Sequence, residues 1–222
     1  MRRIASVFLS LSAVLATSAL AAPQAGAAPQ ADGAASVPSG WVAVDGAELR
    51  HITDQAEGRQ ASSAAGRSAA AVEPELLAVQ SVRNEKFVAT EAGYAAPNTG
   101  VLRARSAQVG GGWEGFTFEF DEASGTVALK SLANGKYVAV EKNYTGNAQN
   151  VLRARSAAVG GWERFVLYYN EDLDHWALQS TLNGMFVTME NSFTGSLQYV
   201  LRARSAEITG SWEEFVLYDL DI

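Results

Sequence analysis

The chain has 222 residues, of which 48% are hydrophobic and 18% charged, and it contains no cysteine. This length accommodates one large or two small domains with an ordinary apolar core. The missing cysteines exclude disulfides, a thiolate nucleophile and thiolate-bound metals, and two histidines leave little for another metal site. A net charge of −7 argues against general binding to nucleic acid or anionic membranes. Composition therefore predicts a globular protein without metal or other cofactor.

Residues 1–21 have the pattern of an export signal. Arg2 and Arg3 provide a positive start, an apolar run follows, and Ala19 to Ala21 forms a cleavage site. Serine and threonine residues dilute the apolar run, which disfavours a permanent membrane anchor. The sequence thus predicts a secreted protein with no membrane insertion after signal removal, and leaves open whether export uses the general or the twin-arginine route. Loss of the two arginines would take the net charge from −7 to −9.

Residues 22–74 form a linker rich in Ala, Gly, Ser, Gln and Pro. Such a composition buries too little apolar area to offset the entropy of ordering, so most of this linker is predicted to be disordered. Trp41 to Val44 alternates like a short strand, which either docks on the folded part or is the remnant of a pro-segment. Whether residues 41–54 fold is left open.

From Leu77 onward the chain repeats itself three times. The heptapeptide at 101–107 recurs at 151–157 and 200–206, and the Trp-Glu-x-Phe motif at 113–116 recurs at 162–165 and 212–215. The repeats therefore span about 77–124, 125–173 and 174–222, within a folded domain predicted over 75–222.

The second repeat shows the predicted unit most clearly. Strands are predicted at 127–131, 136–141, 151–156 and 164–168, and Asn134-Gly135 indicates a type I′ turn between the first two. Glu85 occupies the glycine position in the first repeat, so a different turn is expected there. Three units cannot close a propeller. Three four-stranded repeats of about 49 residues instead predict an all-β fold, a β-trefoil with pseudo-threefold symmetry.

The motifs resemble a known family. The segments at 134–141, 152–155 and 160–165 are similar to the fascin-like β-trefoil repeat, in the single-trefoil form of secreted bacterial proteins. The resemblance implies a binding module. Related trefoils accompany carbohydrate-active enzymes or bind sugars, whereas fascin itself binds a protein filament. Filament bundling is not implied, because it requires several trefoils in one chain.

Two recurring sets are interpreted as structural. Paired arginines in the third strand either hold an acidic ligand or form ion pairs with a recurring carboxylate such as Glu141 or Glu163, and the ion pair is favoured. Recurring tryptophans are expected to pack in the core and not to contact ligand. These residues are Arg103, Arg105, Arg153, Arg155, Arg202, Arg204, Trp113, Trp162 and Trp212.

Ligand binding is instead predicted in the loop between the second and third strands of each repeat. An aromatic residue lies three positions after a recurring glutamate, where it either stacks on a sugar ring or caps the barrel. Carboxylate and amide groups nearby, with Asn191 and Ser192 among the candidates, could bind sugar hydroxyls. The predicted ligand-binding residues are Tyr94, Tyr144, Phe193, Glu91, Glu141, Glu190, Asn143, Asn147 and Gln198.

The sequence shows no nucleophile motif, phosphate loop or metal-protease motif, so no catalytic residues are assigned and no enzyme is predicted. The leading hypothesis is a lectin-like module that binds extracellular or cell-wall polysaccharide at up to three equivalent sites. The alternative is a fascin-like structural module with a protein partner, such as a filament or a surface protein.

Overall fold

The computed structural model describes residues 2–4, 36–56 and 74–220. Most of the predicted export signal and the linker segments 22–35 and 57–73 lie outside these residues. The elements are β1 (Arg2–Arg3), β2 (Trp41–Val44), α1 (Gly46–Ala56), β3 (Glu75–Ser81), β4 (Phe87–Glu91), β5 (Val101–Ser106), β6 (Gly115–Asp121), β7 (Thr126–Ser131), β8 (Tyr137–Val140), β9 (Leu152–Ser156), β10 (Phe165–Asn170), β11 (His175–Ser180), β12 (Phe186–Met189), β13 (Leu201–Ser205) and β14 (Phe215–Asp219).

Six strands close into a ring. β3 pairs with β6, β6 with β7, β7 with β10, β10 with β11, β11 with β14, and β14 again with β3, all antiparallel. The aromatic residue that follows each Trp-Glu motif fills the interior: Phe116, Phe165 and Phe215 are at most 1% exposed. The ring therefore encloses the apolar core.

Three hairpins, β4–β5, β8–β9 and β12–β13, extend from the ring. They meet each other through single pairs: Val101 with Arg153, Val151 with Arg202, and Val200 with Arg103. The three valines are buried together in a small apolar cluster at this junction. The heptapeptide repeat thus places one valine and one arginine of every hairpin at a shared contact.

The turn between the first two strands of each repeat is longer than a type I′ turn. In the second repeat, Ser131 donates its N–H to the carbonyl of Lys136 at 2.9 Å, so four residues separate the bonded pair. In the first repeat, Ser81 and Lys86 are joined in the same way at 3.0 Å. The prediction of a type I′ turn is therefore wrong, since that turn has two residues between the bonded pair. The expected difference at Glu85 is wrong as well, because Glu85 adopts φ 56° where Gly135 has 65°.

Residues 36–56, here called the N-terminal strap, fold onto the barrel. Strand β2 pairs with β10 from Asn170 to Leu167, and α1 begins where the Asp45 side chain accepts the N–H of Glu48 at 2.8 Å. Val44 and Leu49 are 4% and 0% exposed and join the main core. This stretch of the predicted linker is therefore structured, because its apolar side chains pack into the core of the barrel.

The first described residues also contact the barrel. Arg2 and Arg3 pair with Asp219 and Tyr218 of β14, and Ile4 is 1% exposed within the main core. Arg3 also forms an ion pair of 3.0 Å with Asp174. Across the described ranges, no helix combines the length and apolar character needed to cross a membrane.

Candidate ligand-binding site

The recurring glutamates lie inside the hairpins. Glu91, Glu141 and Glu190 are 2%, 3% and 3% exposed, and the carboxylate of each accepts hydrogen bonds from both arginines of its own hairpin. The arginines therefore form the ion pairs that the sequence favoured, with Glu91, Glu141 and Glu190 as partners. Each glutamate is enclosed by its own hairpin and ion-paired there, which is a structural role, and ligand binding by these three residues stays a prediction.

The first arginine of each pair also joins neighbouring hairpins. The Nε of Arg103 donates to the carbonyl of Gln198 at 2.7 Å, that of Arg153 to Thr99 at 2.9 Å, and that of Arg202 to Gln149 at 2.8 Å. Each guanidinium thus connects a glutamate of its own repeat to a loop of another. These contacts hold the three hairpins around the valine cluster.

Two of these arginines, which belong to different hairpins, have pKa values shifted in opposite directions. The hydrogen bond with Glu91 raises the pKa of Arg105, whereas burial lowers the pKa of Arg202. Both guanidiniums remain charged near neutral pH.

The loop aromatics cap the junction of the hairpins. Tyr94, Tyr144 and Phe193 are partly buried against the valine cluster. Their rings lie 5.7, 5.6 and 5.5 Å from the guanidinium carbons of Arg103, Arg153 and Arg202. The three rings therefore pack on the junction of the hairpins, and stacking on a sugar stays a prediction.

The three predicted amide ligands are placed differently from one another. Asn143 and Asn147 are exposed on the loop after β8. Gln198 is partly buried, and its backbone carbonyl is engaged by Arg103. The structure does not gather these three amides around the loop aromatics in one site.

The tryptophans are not core residues, which corrects the prediction. Trp113 is 46% exposed, and Trp162 and Trp212 are only partly buried. Each lies in the turn before the last strand of its repeat, where its backbone carbonyl accepts an N–H from the hairpin: from Thr90, Val140 and Met189 at 2.8, 3.0 and 2.9 Å. This anchoring directs the indole outward, while the following phenylalanine enters the barrel.

The outward position of Trp212 creates a cleft of about 300 Å³ between its turn and the β12–β13 hairpin. We call it the Trp212 cleft. Besides Trp212, its lining includes the polar residues Asn191, Ser192 and Thr209 and the charged residues Arg204, Glu190 and Glu213. Arg204 is bound to Glu190, yet its side chain is 49% exposed. The cleft therefore offers an aromatic face together with exposed donors and acceptors.

Glu213, the residue after the tryptophan, fixes the wall of the cleft. Its carboxylate accepts the hydroxyl of Thr188 at 3.1 Å and both the N–H and the hydroxyl of Thr209 at 3.2 Å. The same position in the other repeats binds its own turn, since Glu114 accepts the N–H of Gly110 and Glu163 that of Gly160. The turn that carries Trp212 is thus rigidly attached to the hairpin.

Solved structures with the same arrangement of strands identify the fold. The designed three-fold symmetric protein ThreeFoil superposes with a TM-score of 0.54 at 19% identity, covering 65% of this chain and 99% of ThreeFoil. The Polyporus squamosus lectin gives 0.51 at 16% identity, over 66% of this chain and 49% of the lectin. The BEL β-trefoil gives 0.50 at 9% identity, over 66% and 93%. The chain has a β-trefoil fold.

Sequence comparison adds no family to this trefoil. No family model matches the chain, and no curated protein matches it. The alignment spans about half of the Polyporus squamosus lectin chain, so that protein contains further structure outside the shared trefoil. The described residues of the trefoil and the N-terminal strap hold no cluster of three potential metal ligands.

Corresponding positions around the other tryptophans of the trefoil differ in chemistry. The residue after the buried glutamate is Ala92 in the first repeat, Lys142 in the second and Asn191 in the third. The next residue is Gly93, Asn143 or Ser192. The sequence associates Asn191 and Ser192 with the loop aromatic Phe193, and the structure also places both residues in the cleft lined by Trp212, a proximity that sequence distance hides.

Proposed function

We propose that the protein is a secreted, non-catalytic, lectin-like module that binds extracellular or cell-wall polysaccharide. The observation that carries this proposal is the Trp212 cleft, in which an indole and several exposed polar groups converge. Sugar rings present an apolar face edged by hydroxyls. An aromatic side chain complements that face, and a few fixed polar groups orient the ligand.

Each polar group in the cleft has a suitable role. The amide of Asn191 can both donate to and accept from sugar hydroxyls, and the hydroxyls of Ser192 and Thr209 can do the same. Arg204 is held in place by Glu190, so its remaining N–H groups are oriented before a ligand arrives. Groups that are already ordered lose little conformational entropy on binding.

The class of ligand also has support from a structural neighbour. The Polyporus squamosus lectin, which shares the trefoil fold, is described in complex with the epitope Neu5Acα2-6Galβ1-4GlcNAc. A shared fold does not fix function by itself. The neighbour supports the proposal because the cleft of this chain has the aromatic and polar groups that sugar binding requires.

The proposal extends to the organisation of the chain. Three four-stranded repeats of about 49 residues, related by pseudo-threefold symmetry and similar to those of secreted fascin-like proteins, would carry three related clefts. Weak sites that engage one polymer together gain roughly 10²–10⁴-fold in affinity when their spacing permits. Catalysis is not part of the proposal, since the recurring glutamates are occupied by arginines.

Retention on insoluble polysaccharides tests the proposal. The full chain should sediment with at least one of glucan, chitin, xylan or cell-wall preparations. Trp212→Ala should weaken that retention about tenfold, because the stacking surface is lost. The control is Leu173→Ala, which removes an apolar side chain that is 48% exposed from the turn after β10, outside the cleft.

Two results would contradict the proposal. If the unmodified chain is retained on none of these polysaccharides, polysaccharide binding fails. If Trp212→Ala and Leu173→Ala bind equally well while both stay folded, the cleft is not the site. Specific capture of one protein by a chain that ignores polysaccharides would instead support the fascin-like alternative.

A further inference from the structure

Arg83, which belongs to the first repeat, contacts the indole of Trp212 in the third repeat. It lies in the turn between β3 and β4, and its guanidinium carbon is 4.3 Å from the centroid of the Trp212 ring. The turn is held there because Val82 donates its N–H to the carbonyl of Glu214 at 3.0 Å. Arg83 thus contacts the indole that lines the Trp212 cleft, although it does not line the cleft itself.

The side chain of Arg83 has no competing partner. It is exposed, and within the described part of the chain it makes no ion pair or hydrogen bond, its contact with Trp212 being the interaction found. All five of its N–H donors therefore remain available. An arginine stacked on an indole keeps its edge free for in-plane hydrogen bonds.

The other two tryptophans lack such a neighbour. Position 83 corresponds to Ala133 in the second repeat and Leu182 in the third, each directly before the asparagine of the turn. Trp113 has Leu132 close to its turn, packed against Gly112, and Trp162 contacts Arg155 of its own hairpin. The stacked, unpaired arginine is therefore particular to the Trp212 cleft among these three.

The charged residues around the cleft differ in whether they have a partner. Arg202 and Arg204 share the single carboxylate of Glu190, and the carboxylate of Glu213 binds two threonines. The lining contains one guanidinium, that of Arg204, and the carboxylates of Glu190 and Glu213, and Arg83 adds next to it a guanidinium that no carboxylate of the described residues pairs with. The carboxylate of Glu214, the second residue after Trp212, forms a hydrogen bond with the Nδ1 of His175 at 3.1 Å.

We propose that the Trp212 cleft selects acidic sugars, with Arg83 binding the carboxylate or sulfate group of the polysaccharide. This inference rests on the proposed function and names its substrate class. A guanidinium binds such groups through two parallel N–H bonds, and the neighbouring cation Arg204 adds to the local field. The hydroxyls and amide of the cleft then bind the neutral part of the sugar.

Binding of the full chain to four immobilised polymers tests this selection. Polygalacturonate supplies carboxylates on sugars, dextran sulfate supplies sulfate esters, dextran is neutral, and polyglutamate is acidic without sugar. We expect tighter binding to one of the two acidic polysaccharides than to dextran or polyglutamate. Which of the two binds identifies the anionic group.

Substitutions assign the effect to Arg83. Arg83→Ala should weaken binding to the preferred acidic polysaccharide about tenfold, the scale of a hydrogen bond to a charged group. Arg83→Lys should restore part of that loss, because charge returns without the planar fork. Lys136→Ala is the control, since it removes one exposed positive charge from the equivalent turn of the second repeat.

The outcomes separate this inference from the proposed function. Retention on neutral polysaccharides without preference for acidic ones would leave a lectin and overturn the role of Arg83. Equal loss with Arg83→Ala and Lys136→Ala, or equal binding to polyglutamate, would reduce the effect to general charge attraction and also overturn it. Failure to bind any polysaccharide would remove the proposed function itself.

Discussion

The β12–β13 hairpin carries two neighbouring groups of polar residues that differ in almost every respect. Around Glu190, the carboxylate forms ion pairs with Arg202 and Arg204, and the ring of Phe193 contacts the guanidinium of Arg202. Around Trp212, Asn191 and Ser192 are exposed in an open cleft. The first group recurs in all three repeats, and the second differs in each.

This difference separates the residues that join the repeats from the residues of the candidate ligand site. A contact that joins the repeats must be made at every junction, so its residues recur together. A ligand site does not have to be identical in every repeat, so its residues can differ between repeats without loss of the fold. In this chain, recurrence marks the residues that hold the trefoil, and divergence beside a fixed aromatic marks the candidate site.

The largest expected effect tests the buried cluster itself. Glu141→Ala should lower the free energy of unfolding by about 4 kcal/mol, because the nearly buried guanidinium of Arg153 loses its counter-charge. Urea denaturation of both proteins measures the difference.

Arg155→Ala serves as the comparison within the same cluster. Its side chain is 36% exposed, so its removal should cost no more than about 1 kcal/mol. Similar losses for the two variants would show that burial does not control the strength of this cluster.

A second prediction asks whether recurrence is required for a structural role. Leu49 lies in the N-terminal strap, which has no copy elsewhere in the chain, and its side chain is 0% exposed in the core. Leu49→Ala should lower the free energy of unfolding by about 3 kcal/mol through lost burial and a cavity.

The control is Val42→Ala in the same strap, at a side chain that is 60% exposed, where a change within about 0.5 kcal/mol is expected. If Leu49→Ala unfolds in one transition at the original midpoint, the strap does not contribute to the cooperative fold of the trefoil.

The smallest effect concerns a turn position at which the repeats differ in residue type but share one backbone conformation. Glu85 adopts φ 56° in a turn whose counterparts are Gly135 and Gly184. Glu85→Gly should raise the free energy of unfolding by about 1 kcal/mol, since left-handed backbone is costly for a side chain with a Cβ. Thermal unfolding would register it as a higher midpoint.

The reverse change, Gly135→Ala, should lower stability by a similar amount, although its Cβ would meet no atom within 4 Å. Opposite signs for the two substitutions would attribute the effect to backbone conformation. A loss in both variants would contradict this explanation.

Much of the trefoil could be read from the chain because its signals are local. Strand alternation, turn residues and the three copies of the heptapeptide predicted the β-trefoil, and the pairing of arginine with glutamate follows from charges repeated at fixed spacing. The turn at Glu85 was mispredicted because pairing of the flanking strands outweighs the local preference of one residue. The sequence left undecided whether the N-terminal strap folds, because its few apolar residues are buried only when they pack against the barrel.

The candidate site was harder to find, and for a physical reason. Sequence by itself determined the repeat, the strands and the ion-paired cluster, since these depend on neighbours in the chain or on identical copies. Only the tertiary structure decided that Trp212 faces outward, because a backbone hydrogen bond to Met189 sets the direction of its turn. It also decided that Arg83, 129 residues earlier in the chain, lies over that indole at 4.3 Å. A site built from separate repeats exists only once the barrel has closed and brought their turns together.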